Sequence, residues 1–102
     1  MSKVYMSFPI SGYDIEERKV YAEKLKKSLS QFYDDVFNPL ENGVSLDAPT
    51  SEHMKEDIKN LLMCDTIFMC KGFELSRGCM IEYQIAIFCG LNIIYEEKEF
   101  KQ

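Results

Sequence analysis

Ser76-Arg-Gly-Cys-Met-Ile-Glu82 brings a hydroxyl, a cation, a glycine and a carboxylate into one short run. It follows Thr66-Ile-Phe-Met-Cys70, an apolar stretch that reads as a buried strand, and leads into Ile81, Ile85 and Cys89, spaced by four as on one helix face. Ser76, Arg77 and Gly78 therefore fall where a strand gives way to a helix. The first N–H groups of a helix have no carbonyl partner and carry partial positive charge, so they attract anions. Ser76 adds a hydroxyl there, Gly78 admits a ligand close to the backbone, and Arg77 adds charge. Glu82 lies one turn further in, an acid beside a phosphate-sized cradle.

Such a carboxylate can attack the anomeric carbon of a sugar and hold it as an ester while a base departs. The departing base needs a proton, which Asp57 can supply. Tyr5 can orient the carboxylate through its hydroxyl. Ser76, Gly78 and the loop from Ser7 to Gly12, with Phe8 and Ser11 in it, can hold a ribose and its 5′ substituent. Periodicity alone leaves plainer roles open: a solvated Glu82 and Asp57, a packing Tyr5, and Ser76 as a simple helix cap.

Other chemistries fit less well. The four cysteines, Cys64, Cys70, Cys79 and Cys89, form no C-x-x-C pair, and the single His53 lies far from them, so no metal site is expected. Cys79 lacks an evident base to activate it as a nucleophile. Three of the four sit in or beside apolar stretches and read as buried, reduced thiols of a cytoplasmic protein. The net charge of −5 speaks against a nucleic-acid binder, though not against a small anion held by local donors. No apolar run approaches the ~20 residues of a membrane helix, and the N-terminus lacks the pattern of a secretory signal.

The elements that must position these residues alternate. Val4–Phe8 reads as a strand broken by Pro9-Ile-Ser-Gly12. Asp14 caps a helix with Glu17 as its capping partner and Ile15, Ala22, Leu25, Leu29 and Phe32 on one face. Asp35–Asn38 is a short strand stopped by Pro39, and residues 39–50 are a loop long enough to be functional. Thr50 or Ser51 caps a second helix with Met54, Ile58, Leu61 and Leu62 inward and Asp57 on the edge of that stripe. After the third strand and third helix, Leu91–Tyr95 is the last strand, and Glu96–Gln102 is a charged tail. The order β-α-β-α-β-α-β predicts one domain over residues 1–102. Its expected fold is a flavodoxin-like or Rossmann-like three-layer α/β sandwich with a four-stranded parallel sheet in the order 2-1-3-4. Ligands of such sheets bind beyond the carboxyl ends of the strands, at the switch point between strands one and three. The loops Phe8–Tyr13 and Lys71–Gly78 meet there.

The segments Lys3–Gly12, Val36–Pro39, Glu56–Asp65, Ser76–Ala86 and Gly90–Ile94, taken in order, resemble the nucleoside 2-deoxyribosyltransferase-like superfamily, which includes small uncharacterised members and the 2′-deoxynucleoside 5′-monophosphate N-glycosidases. By position, the resemblance implies Glu82 as nucleophile, Asp57 as acid/base and Tyr5 beside the nucleophile. The transferases usually carry aspartate six residues before that glutamate, where it holds the sugar 5′-hydroxyl; here Ser76 stands there. The monophosphate N-glycosidases carry serine at that position and use it on the 5′-phosphate. Ser7-Phe-Pro-Ile replaces the more usual small, Gly-rich start of the first loop, and Phe8 either narrows that loop or stacks on a base.

The resemblance thus implies hydrolysis of the N-glycosidic bond of a (deoxy)nucleoside 5′-monophosphate, without metal or organic cofactor. It also implies a small nucleotide as ligand, and a homodimer or larger homo-oligomer in a bacterial or phage-infected cell. Two other readings use the same site: binding or sequestering a nucleotide unchanged, and transfer of the sugar between bases.

Overall fold

The computed structural model describes residues 2–96; the charged tail read at Glu96–Gln102 lies outside them apart from Glu96. The elements are β1 (Lys3–Ser7), α1 (Ile15–Leu29), β2 (Asp35–Phe37), α2 (Thr50–Leu61), β3 (Thr66–Met69), α3 (Arg77–Phe88) and β4 (Asn92–Tyr95), with 3-10 turns at Pro39–Glu41 and Phe73–Leu75. All strand pairs are parallel and the sheet order is β2-β1-β3-β4, as the alternating pattern predicts. Val4 pairs with Val36 on one side and Thr66 on the other, so β1 is the central strand at the switch point.

The period of two along β1 divides its side chains between two cores. Val4, Met6 and Phe8 join Ala22 and Leu29 of α1 and Val36 of β2. Tyr5 joins Leu61 of α2, Ile67 and Met69 of β3, and Cys79 and Ala86 of α3. The sheet is thus covered on both faces. The same alternation places Ser7, fully buried, on the Tyr5 side, under α3.

Helix boundaries follow their caps. The Asp14 carboxylate accepts the Glu17 N–H at 3.0 Å and starts α1. The α2 helix starts differently from expectation: Pro49 occupies the cap position with no side-chain hydrogen bond, and Thr50 and Ser51 lie inside the helix. The fixed proline φ suits a helix entry without a capping hydroxyl.

Two inward faces also differ. Phe32 and Leu62 are exposed, because α1 ends at Leu29 and α2 at Leu61, and both residues lie past the last helical position. On α3 the buried residues are Cys79, Glu82 and Ala86, while Ile81 and Cys89 face outward. Apolar residues occupy most sides of α3, so spacing by four does not single out one face. Polar partners on β1 settle it, since they receive Glu82 in the interior.

Candidate functional site

Glu82 is only 6% exposed, yet both its oxygens are satisfied. Tyr5 Oη donates to Oε2 at 2.7 Å, and Ser7 Oγ donates to Oε1 at 2.8 Å. Burial alone pushes the Glu82 carboxyl up strongly, the two hydroxyls pull it back, and the charge of Asp57 raises it again, with a net value of about 7. Tyr5 is itself held well above its ordinary value, first by burial and then by the charges of Glu82 and Asp57, so it remains a donor. At neutral pH the site therefore holds a carboxylate close to its own protonation midpoint.

Asp57 is 7% exposed on α2. Burial raises its carboxyl, and a hydrogen bond from Asn42 Nδ2 at 2.9 Å opposes the rise. It lies on the buried face of α2 rather than at the edge of the stripe, because Asn42 supplies the partner a buried carboxylate needs.

Both acids line a cavity of about 960 Å³ at the carboxyl ends of β1 and β3. That volume lies at the upper end of the range for small-molecule sites, roughly 300–1,000 Å³. Ser76 caps α3 by accepting the Cys79 N–H at 3.2 Å, which leaves its own O–H available to donate. The N–H groups of Arg77 and Gly78 come before Met80, whose N–H makes the first intrahelical bond, to the Ser76 carbonyl, and both residues line the cavity. A Cβ on Gly78 would meet Met54 Sδ at an ordinary 3.8 Å, so the glycine opens space at the helix start without being demanded by the fold. Cys79 also lines the cavity, but burial raises its thiol and makes it a poor nucleophile.

Residues 2–95 match the family described as a domain of unknown function (DUF4406). The chain belongs to that family. Comparison of this DUF4406 domain with curated proteins finds no match. Its fold is similar to that of a 2-deoxyribosyltransferase from the psychrotolerant bacterium Bacillus psychrosaccharolyticus, described as a biocatalyst for the synthesis of nucleosides. The TM-score is 0.62, with 18% identity over 92% of this chain and 71% of that one. The likeness is one of fold, and it agrees with the superfamily resemblance read from the ordered motifs.

The DUF4406 domain brings Glu82, Asp57, Ser76, Arg77, Gly78, Phe8 and Ser11 to one cavity, with Tyr5 behind Glu82. Ser7 and Gly12 are placed otherwise. Ser7 is wholly buried and spends its proton on Glu82, so it braces the carboxylate instead of touching a ligand. Gly12 has φ of 85° and is outside the cavity wall; it makes the turn that brings Ser11 and Tyr13 round. The Phe8 ring is buried beside Tyr21, with 5.7 Å between centroids, which leaves little of its face for a base.

Asn42, His53 and Arg18 of the DUF4406 domain are absent from the sequence-based site. Asn42 and His53 join the 39–48 loop to Asp57. The Arg18 guanidinium lies 4.5 Å from the ring centres of both Tyr13 and Tyr21 and donates to the Pro9 carbonyl at 3.1 Å, fixing the first loop. Arg18 falls on the apolar face of α1, three residues after Ile15 and four before Ala22, so its place on the buried side follows from spacing, but no local pattern points to its aromatic partners.

Proposed function

We propose that this domain hydrolyses the N-glycosidic bond of a nucleoside 5′-monophosphate, in the deoxy form. The observation that carries the reading is the buried Glu82 carboxylate, gripped by two hydroxyls at one end of a nucleotide-sized cavity with a second buried acid in its wall. A buried carboxylate is costly, and one aimed at open volume is the kind of group that does chemistry there.

The reaction proceeds in two steps. A Glu82 oxygen attacks C1′, the C1′–N bond breaks with its electron pair going to the base, and the protonated Asp57 gives the base its proton. Water then attacks C1′ as Asp57 takes back a proton, and the ester C–O electrons return to Glu82. The products are free base and sugar 5-phosphate, and one water is consumed. Burial serves both roles, because it keeps Asp57 protonated more readily and concentrates the charge of ionised Glu82 in a poorly screened site. Tyr5 and Ser7 favour the ionised form of Glu82 and hold it in one orientation. The Ser76 hydroxyl and the N–H groups of Arg77 and Gly78 offer donors to the 5′-phosphate.

A panel of ribo- and deoxyribonucleoside 5′-monophosphates, followed by chromatography for released base, tests this reading. Release from at least one deoxynucleotide is expected, and Glu82→Ala should abolish it. Binding without release would leave a nucleotide-binding module, and a need for added base would point to transfer.

The outward face of α3 supports assembly with a second copy. Ile81 and Phe88 are exposed, Phe88 at 87%, and with Met80 and Ile85 they line a shallow groove that shares Arg77 and Ile81 with the cavity. A copy seated there would cover apolar surface and flank the site. Sedimentation equilibrium should give a dimer or larger species at micromolar concentration and a monomer for Phe88→Glu. A monomeric wild type would refute the assembly.

A further inference from the structure

Asn42 follows the 3-10 turn Pro39–Glu41, and every hydrogen-bonding position of its carboxamide facing the fold is committed. Its Oδ1 accepts the Val44 N–H at 2.9 Å. A backbone nitrogen only donates, so this contact fixes which way the amide points. Nδ2 then faces Asp57 Oδ1 at 2.9 Å and His53 Nδ1 at 3.2 Å, one hydrogen to each. His53 Nδ1 must accept, which places the ring proton on Nε2, and Nε2 donates to the Ser45 carbonyl at 2.9 Å. The loop is thereby tied to α2 by a chain of contacts in which each donor and acceptor role is determined.

The chain ends on one oxygen of Asp57. Among the described residues no hydrogen bond reaches Oδ2, and no buried side-chain polar atom lacks a partner, so Oδ2 keeps accessible surface in a residue that lines the cavity. We propose that Asn42 is a positioning residue for Asp57: by occupying Oδ1 it leaves Oδ2 as the oxygen that carries and transfers the proton, and it fixes where that proton points. The loop over residues 39–48 is then part of the acid's mounting. This rests on the reading of Asp57 as the acid of the proposed hydrolysis. The titratable groups that face Asp57 are His53 and Glu56 on its own helix, Tyr5 on β1 and Glu82 on α3.

The test follows the Asp57 carboxyl carbon by NMR across pH in the wild type, Asn42→Ala and Asn42→Ser. Serine keeps an acceptor for the Val44 N–H, and hence the turn, but is too short to reach Asp57. Loss of the donated hydrogen bond should raise the Asp57 midpoint by about one pH unit in both variants. A midpoint that is unchanged or lower in folded Asn42→Ser overturns the proposal. On whichever nucleotide the wild type hydrolyses, Asn42→Ser should lower kcat roughly tenfold with KM within about twofold, and the alkaline limb of kcat should move up with the titration. The NMR result stands without turnover. A shifted midpoint in a protein that hydrolyses nothing would sink the hydrolase reading and leave the positioning of Asp57 intact.

Discussion

Glu82→Gln is expected to lose at least about 1,000-fold in base release while unfolding at a higher temperature than the wild type above neutral pH. The two effects have one cause. The Glu82 carboxyl titrates near 4.5 in an ordinary setting and near 7 in the fold, because burial disfavours its charge. Between those values the native state keeps a proton that the unfolded chain has released. By linkage, wild-type stability falls as pH rises through that window, and the loss is complete above the folded value. A displacement of this size corresponds to about 3 kcal/mol. Glutamine has the same shape and no charge, so it avoids that loss. One hydroxyl must reverse to accept from the new amide, which costs about 1 kcal/mol. The net gain at pH 8 is about 2 kcal/mol, or roughly 10 °C in Tm for a domain this small, shrinking toward zero or below at pH 5. Melting curves of both proteins from pH 5 to 8 check it. A difference in Tm that stays flat across that range would mean that Glu82 is not held against its own ionisation, and with that the case for a poised nucleophile would fail.

The stability cost of Glu82 also explains why the sequence exposes some of this site and conceals the rest. The parallel order was legible because strand-like and helical runs alternate, and the switch point follows from that order. Ser76 was legible as a cap because the rule is local, and the Cys79 N–H does bond to it. Glu82 was picked out for its neighbours and by resemblance, not by its periodicity, which favoured Ile81 and Ile85 as the inward residues. Burying a carboxylate on an apolar helix makes sense only once Tyr5 and Ser7, 77 and 75 residues away, are known to meet it. Ser7 was within reach of sequence reasoning, since strand alternation puts it on the same face as Tyr5. Asn42 and His53 were not. Their roles depend on how an aperiodic loop folds back over α2, and no spacing rule encodes a three-way contact of that kind.

Ser76→Asp should separate the two ends of the ligand. Aspartate is as good a helix cap as serine and can accept the same Cys79 N–H, so α3 and the Glu82 contacts are expected to persist. The change exchanges a hydroxyl able to donate for a carboxylate that cannot, at the helix start where the 5′ substituent is proposed to lie. Facing a phosphate dianion, the new charge costs a few kcal/mol even in a partly hydrated site. Release of base from a 5′-monophosphate should therefore fall by roughly 100-fold or more in kcat/KM, about 2.7 kcal/mol. The corresponding nucleoside, whose 5′-hydroxyl can donate to a carboxylate, should be spared or improved. The ratio of the two rates is the decisive quantity, because any general damage to the cavity lowers both together. A fall shared equally by nucleotide and nucleoside would show that Ser76 only caps the helix. An unchanged preference for the nucleotide would move the phosphate site elsewhere in the cavity, with Ser11 and the first loop the next place to look, since Ser11 lines the same volume.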